Sequence, residues 1–146
     1  METIITEQIM TTTQVAHRFN ELAQQEKWFE IQEQFFSADV KSIDPENSPW
    51  FGYAEGKTAV RKKGETFVQK IDVVHSASTT EPVVAGNHFA VTLELDATYK
   101  GMGRQSMKEV CVYEVKDGKI VKEEFFYLAA VCVSVYQLIS FSYQNK

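Results

Sequence analysis

The sequence predicts a single domain of the α+β class, in which helices come first and a run of antiparallel strands follows. Apolar residues recur at helical spacing in three segments of the first half, whereas alternation with period two dominates between residues 71 and 127. The length of 146 residues suits one domain, because a chain of this size buries a core without a disulfide or a structural metal. No repeat or linker interrupts it, so one domain over residues 1–146 is expected.

Three helices are predicted from the spacing of apolar residues. The first follows the hydroxyls of residues 11–13, which are candidate N-caps, and its apolar face covers residues 15–23. The second carries a thick apolar face over residues 28–36, and the third extends over residues 57–70. Polar residues occupy the remaining positions of each helix, as expected for helices that pack on one side only.

Strands are predicted on both sides of the third helix. Residues 40–43 suit a short strand that Pro45 ends, since proline has no backbone N–H to donate. Residues 71–85 are rich in β-branched residues and lead to the turn signal Gly86-Asn87. The clearest strand covers residues 89–100, where apolar and polar side chains alternate.

A hairpin is predicted at Lys116-Asp117-Gly118, with a three-residue loop and glycine at its bulge position. That register places Glu123 opposite Cys111 and Glu109 opposite Phe125. One face of the two strands then carries Met107, Glu109, Cys111, Tyr113, Val121, Glu123, Phe125 and Tyr127. A two-residue loop would instead place the two glutamates on different faces.

Glu109 and Glu123 are candidate catalytic carboxylates on this hypothesis. Burying a charge among apolar side chains is costly unless the group is paired or protonated, so both should titrate abnormally and could transfer protons. The alternative is that both glutamates lie at sheet edges in water and have no such role.

Residues 128–143 form a run of sixteen uncharged residues beyond a predicted core of residues 12–127. Apolar residues alternate with serines there, which favours a strand over a helix. A membrane span needs about 20 apolar residues, and part of any longer run belongs to a predicted strand, so no membrane anchor is expected. Residues 128–146 are therefore predicted to be a β-rich extension that adds to a sheet edge or pairs with a second copy of the chain.

Composition argues against several classes of function. The formal net charge is −5 and the basic residues are scattered, so no binding surface for nucleic acid is predicted. Cys111 and Cys132 form no Cys-x-x-Cys pair and the histidines are dispersed, so no metal or other cofactor is expected. The first residues lack a basic or long apolar segment, which indicates no signal peptide and favours the cytoplasm.

Three short sequence segments resemble those of a known family. They are Phe36-Ser37-Ala38-Asp39-Val40 with Asp44-Pro45 after it, Gly56-Lys57-Thr58-Ala59-Val60, and Val115-Lys116-Asp117-Gly118-Lys119-Ile120-Val121. Their order and spacing resemble the SnoaL-like group of the nuclear transport factor 2-like superfamily, which includes ketosteroid isomerase, scytalone dehydratase and polyketide cyclases. The resemblance implies a cystatin-like α+β fold, with three helices packed on a strongly curved antiparallel sheet that forms a cone around a central pocket. It also implies a homodimer formed through the outer sheet face.

The resemblance implies a catalytic role for Asp44, because the proton-shuttling aspartate of ketosteroid isomerases precedes a proline at the end of the first strand. Those enzymes bind the oxyanion with a tyrosine and a protonated aspartate. The corresponding places here fall at Phe19 and near Cys111, and neither is an equivalent donor. Steroid isomerisation is therefore not expected. The alternative for Asp44 is that Asp44-Pro45 only starts a turn.

Two functions remain open. The first is a small-molecule isomerase, cyclase or dehydratase that uses Asp44, Glu109 or Glu123 in acid–base chemistry and needs no cofactor. The second is a non-catalytic module that binds an apolar small-molecule ligand or a partner subunit. Since the core of a cone fold also lines its pocket, the candidate ligand-binding residues are Phe19, Trp28, Trp50, Tyr53, Tyr99, Cys111, Tyr113, Phe125 and Tyr127.

Overall fold

The computed structural model describes residues 3–4, 6–48 and 52–128. Trp50 and residues 129–146, which include Cys132, lie outside this part of the chain. The predictions for the C-terminal extension therefore concern residues that the structure does not describe. The helices are α1 (Thr12–Ala23), α2 (Trp28–Phe35) and α3 (Lys57–Gln69), and they confirm the three predicted helices. Thr11 caps α1 as expected: its hydroxyl accepts from the Gln14 backbone N at 3.2 Å, and the Gln14 side chain accepts from the Thr11 backbone N at 2.8 Å.

The strands form one curved, unclosed mixed sheet, which confirms the α+β class. They are β1 (Phe36–Ile43), β2 (Tyr53–Glu55), β3 (Ile71–Thr79), β4 (Val83–Ala85), β5 (His88–Tyr99), β6 (Gly103–Lys116) and β7 (Lys119–Phe126). Within the described residues the strand order is β2-β1-β7-β6-β5-β3, and β4 pairs with β5. No helix in this part of the chain is long and apolar enough to cross a membrane.

The expectation of a wholly antiparallel sheet is wrong at one place, because β1 and β7 run parallel. Alternation predicts that a segment is a strand, but a turn fixes the pairing only between neighbouring strands. β1 also begins at Phe36, four residues before the predicted strand. A short apolar run does not distinguish a helix end from a strand start, and Phe36 has extended backbone angles.

The predicted three-residue hairpin loop is also wrong. Lys116 pairs with Lys119, and the two loop residues, Asp117 and Gly118, have positive φ angles of 50° and 73°. Positive φ at both central positions is typical of a type I′ turn, whose twist matches that of the flanking strands. The predicted register is therefore wrong: Tyr113 faces Glu123.

A bulge in β7 nevertheless keeps the glutamates on one face. The register shifts after the pair Val115–Ile120, so that Glu114 faces Lys122 and one residue of β7 is left over. The extra residue restores the alternation that the two-residue loop would have reversed. Ile120 thereby takes the buried position that had been predicted for Val121.

The main core lies between α1, α2 and the inner face of the sheet. Its largest fully buried side chains include Phe19, Ile31, Phe89 and Ile120. The rings of Phe19, Phe89 and Tyr113 pack together, with centroids 4.7 to 5.0 Å apart. A second cluster of Leu95, Ala97 and Tyr99 packs against Phe67 of α3 and neighbouring residues.

Candidate active site

A buried ion pair joins the end of β1 to α3. Asp44 directly follows β1, and its Oδ2 contacts the ammonium of Lys63. The two side chains are only 7% and 11% exposed, so little water reaches them. Lys63 also donates to the backbone carbonyl of Gly52 at 3.3 Å, and its ammonium lies 5.5 Å from the centre of the Phe125 ring. An ion pair removed from water in this way depends on such additional contacts.

Ser42 connects this ion pair to a buried glutamate. Lys63 Nζ donates to Ser42 Oγ at 2.8 Å, and Ser42 Oγ donates to Glu123 Oε1 at 2.7 Å. Ser42 is fully buried and Glu123 is 6% exposed. Because Ser42 and Glu123 are partners in the parallel pairing of β1 and β7, sheet register places them side by side.

Tyr127 contacts Asp44 from the opposite side. Its hydroxyl donates to Asp44 Oδ1 at 2.8 Å and also contacts the hydroxyl of Ser48. Since the phenol has a single proton, Ser48 donates to Tyr127 when Tyr127 donates to Asp44. Burial raises the pKa of Tyr127, so the phenol stays protonated and remains a donor to Asp44.

Both predicted glutamates titrate near neutrality. Burial raises the pKa of Glu109 to about 7, and the neighbouring Asp44 adds to this effect. Burial also raises the pKa of Glu123 to about 7, although the hydrogen bond from Ser42 and the charge of Lys63 oppose the rise. A carboxyl group that titrates near pH 7 can both donate and accept a proton, which is what general acid–base catalysis needs.

Cys111 lies beside Glu109 on β6. Its Sγ donates to Glu109 Oε1 at 3.6 Å, and burial raises the pKa of the thiol, which keeps it protonated. Cys111 is therefore a weak donor to the carboxyl group and is not a nucleophile in this state.

An open groove of about 970 Å³ adjoins the cluster where β1 and β7 end. Asp44 and Tyr127 are among the residues that line it, whereas Glu109 and Glu123 are not. Consecutive residues at the end of β7 all line the groove, although successive side chains of a strand point to opposite faces. The groove therefore wraps around the strand ends. Its lining residues are Ile43, Asp44, Pro45, Glu46, Gly52, Tyr53, Lys108, Glu124, Phe125, Phe126, Tyr127 and Leu128.

Three of the predicted ligand-binding residues line this groove, namely Tyr53, Phe125 and Tyr127. Tyr53 is 58% exposed and donates to Glu55 at 2.8 Å. Phe125 lies on the inner face, opposite Cys111.

The remaining predicted aromatic residues pack inside the protein. Phe19 and Tyr113 belong to the main core, and Trp28 packs edge-on against Phe19 with centroids 6.1 Å apart. Tyr99 is buried in the second cluster, near Phe67. Trp50 lies outside the described residues. Most of the predicted aromatic residues therefore belong to the core and do not line the groove, whereas the expected cone would have used the same residues for both.

Ser42, Ser48 and Lys63 were not predicted from the sequence. Two of them carry a signal that spacing could have revealed. Lys63 follows the buried Val60 by three residues, so it lies on the same face of α3. Ser42 follows the buried Val40 by two residues, so it shares the inner face of β1.

The arrangement can move protons without any bound group. Hydrogen bonds and an ion pair connect Tyr127, Asp44, Lys63, Ser42 and Glu123 in a region of low water exposure beside the open groove. Glu109 interacts electrostatically with Asp44 and Glu123. Among the described residues, no group of three or more histidine, cysteine, aspartate or glutamate side chains is placed to hold a metal ion.

Comparison with solved structures identifies similar proteins. A candidate SnoaL-like polyketide cyclase from Mesorhizobium loti is 35% identical, with 81% of this chain and 100% of that chain covered and a TM-score of 0.75. A nuclear transport factor 2-like protein from Burkholderia thailandensis is 15% identical, with 86% and 96% covered and a TM-score of 0.72. A protein of unknown function with a cystatin-like fold from Xanthomonas campestris is 21% identical, with 81% and 91% covered and a TM-score of 0.67.

Among curated proteins, none matches the chain significantly. The family model of the SnoaL-like domain matches residues 10–127, which contain all the helices, the sheet and the carboxylate cluster described above. Together with the identity to the Mesorhizobium loti protein over its full length, this match shows that the chain belongs to the SnoaL-like family.

Proposed function

We propose that the protein is an isomerase, cyclase or dehydratase that transforms a small carbonyl compound by carboxylate acid–base chemistry, without a cofactor. The observation that carries the proposal is the buried cluster of Asp44, Lys63, Ser42 and Glu123 beside an open groove. Because burying charged groups is costly, a buried cluster of this kind beside a groove favours a functional role over a purely structural one. Membership of a family that often contains cyclases and isomerases supports this assignment.

Asp44 is the proposed base, because its carboxylate is the member of the cluster that lines the groove. Tyr127 and Lys63 hold both of its oxygens in place. In the proposed reaction Asp44 accepts a proton from a carbon next to a carbonyl group. Neither Glu109 nor Glu123 lines the groove, so the proposal requires the carbonyl end of the substrate to extend past Asp44, where one of these glutamates, when protonated, donates a proton to it. A pKa of about 7 suits either group to this role at neutral pH.

The lining of the groove favours an uncharged substrate with an extended apolar surface. The aromatic rings of Tyr53 and Phe125 offer surfaces for a flat ligand. Glu46 and Glu124 place negative charge on the same groove, which disfavours anionic compounds.

A homodimer through the outer face of the sheet is part of the proposal. Val110 on β6 and Phe126 on β7 are paired neighbours, and they are 44% and 50% exposed. Neighbouring exposed apolar side chains on a sheet face are typical of an interface. We expect a second copy of the chain to cover them.

Deuterium exchange tests the catalytic proposal without knowledge of the substrate. A panel of uncharged cyclic and aromatic ketones is incubated with the protein in D₂O, and loss of the proton next to the carbonyl is followed by NMR. We expect Asp44→Asn to slow the exchange by about 100-fold or more, because general-base catalysis contributes that much. The exposed Asp39, also on β1, supplies the control Asp39→Asn, which should keep the wild-type rate.

A different result would favour the non-catalytic alternative. If ketones bind in the groove but none exchanges faster than in buffer, the protein is a ligand-binding module. Equal rates for Asp44→Asn and Asp39→Asn would remove Asp44 from the mechanism.

A further inference from the structure

The direction of each hydrogen bond between Lys63 and Glu123 follows from chemistry. An ammonium group has only protons to donate, so the oxygen of Ser42 must accept from Lys63 across the 2.8 Å contact. The hydroxyl proton of Ser42 is then free to point at Glu123 Oε1, which lies 2.7 Å away.

The same ammonium contacts Asp44, so one unbroken chain joins the two carboxyl groups. It runs from Asp44 through Lys63 and Ser42 to Glu123, and each of these side chains is at most 11% exposed. The titratable groups near Glu123 are Asp44 and Lys63, which belong to this hydrogen-bonded chain, and Glu109, Cys111 and Tyr113, which do not.

We propose that Ser42 and Lys63 are positioning residues that form a proton relay between Asp44 and Glu123. The relay rests on the proposed function, since it returns the two carboxyl groups to their starting states after each turnover. The site would otherwise end a cycle with a protonated Asp44 and an ionised Glu123. Its low exposure to water makes an internal path the shorter route for the proton.

The relay step conserves every proton. Lys63 gives a proton to the oxygen of Ser42 while Ser42 gives its own hydroxyl proton to the Glu123 carboxylate. Neutral Lys63 then takes the proton from Asp44. The net change is one proton moved from Asp44 to Glu123, with Lys63 again an ammonium and Ser42 again a hydroxyl.

The decisive measurement uses no substrate. Side-chain carboxyl carbons of the full-length protein are labelled with ¹³C, and the titration midpoints of Glu109 and Glu123 are recorded by NMR. We expect Ser42→Ala to move the Glu123 midpoint upward by about one pH unit, because its carboxylate loses a strong donor. Glu109 has no hydrogen bond to Ser42 and should keep its midpoint, which makes it an internal control.

Two further variants separate the relay from general damage to the fold. Ser42→Thr keeps the hydroxyl and should restore the Glu123 midpoint. Lys63→Met removes the charge that both glutamates face and should raise both midpoints. The relay is wrong if Ser42→Ala leaves the Glu123 midpoint unchanged, or moves the midpoints of Glu109 and Glu123 equally.

A ketone that the protein converts to product supplies a kinetic test, because net turnover leaves Asp44 protonated and Glu123 ionised, whereas exchange alone is reset by the reverse step. Ser42→Ala should lower kcat about 10-fold at unchanged KM, and Ser42→Thr should recover it. A wild-type kcat in Ser42→Ala would exclude the relay even if the midpoint moves. A protein with the expected midpoints but no exchange with any ketone would instead contradict the proposed function.

Discussion

Ser42 and Glu123 are separated by 81 positions in the sequence, yet they are partners across the parallel pair β1–β7 and share a 2.7 Å hydrogen bond. Partner residues on neighbouring strands point to the same face of a sheet. The carboxyl group of Glu123 is therefore placed by the backbone of two strands. This is a more rigid support than a loop provides for a reacting group.

The stability of the protein should depend on pH through Glu123. Its pKa is raised to about 7 in the folded protein from an ordinary value of 4.5. Between these values the folded state binds the proton and the unfolded state releases it. Glu123 alone should therefore lower the free energy of unfolding by about 3 kcal/mol as the pH rises from 4.5 to above 7. Glu109, whose pKa is also raised to about 7, should add a comparable fall.

Urea denaturation of Glu123→Gln at several pH values tests this expectation. The variant should lose the part of the decrease that Glu123 causes, because its amide cannot ionise, and should keep the part that Glu109 causes. Glu124→Gln, on the opposite face of the same strand, removes an equal charge and is the matched control. Identical profiles for the wild type and Glu123→Gln would show that Glu123 does not cause the pH dependence.

A side chain at Gly118 should destabilise the turn. Its φ of 73° is strained for other residues, and an added Cβ would lie 3.2 Å from the Met10 backbone N and from Ile9 Cγ2. We expect Gly118→Ala to lower the free energy of unfolding by about 1–2 kcal/mol. Gly52→Ala is the control, since nothing lies within 4 Å of its added Cβ. Equal losses of stability would contradict the role of the turn.

Removing a core side chain should be costly at Ile120. This residue is fully buried, and Ile120→Ala leaves a cavity, so a loss of about 2–5 kcal/mol is expected in chemical denaturation. Ile4 is 86% exposed, and Ile4→Ala should change stability by less than about 0.5 kcal/mol. A small loss at Ile120 would mean that the bulge does not direct its side chain into the core.

The proposed dimer should dissociate when its apolar face gains a charge. Val110→Lys places an ammonium beside Phe126, and burial of an unpaired charge between two subunits is costly. Sedimentation or light scattering should then report a monomer. Val83→Lys introduces the same charge at a residue that is 73% exposed on β4 and should leave the mass unchanged. A dimer that persists in Val110→Lys would place the interface elsewhere.

Local patterns predicted the elements well because their causes are local. The 12-residue strand β5 follows from strict alternation, and α3 follows from apolar spacing between Lys57 and Gln69. The acidic members of the site, Asp44 and Glu123, were also predicted, one from resemblance and one from alternation.

Pairings between distant strands could not be predicted in the same way. The parallel contact of β1 with β7 depends on packing of the whole domain, and the bulge in β7 depends on the turn before it. Lys63 was missed because a lysine on a helix is normally solvated, and only the position of Asp44 makes its burial favourable.

The parallel pairing also sets the order in which the site can form during synthesis. A nascent chain that has reached the end of β6 already contains Ser42, Asp44 and Lys63, but it lacks the strand that lies between β1 and β6. Until β7 has been synthesised, Asp44 and Lys63 lack the neighbouring strand that carries Glu123 and leads to Tyr127. The last described strand therefore completes the surroundings of the ion pair, and the site that we propose for proton transfer exists only after β7 has paired with β1 and β6.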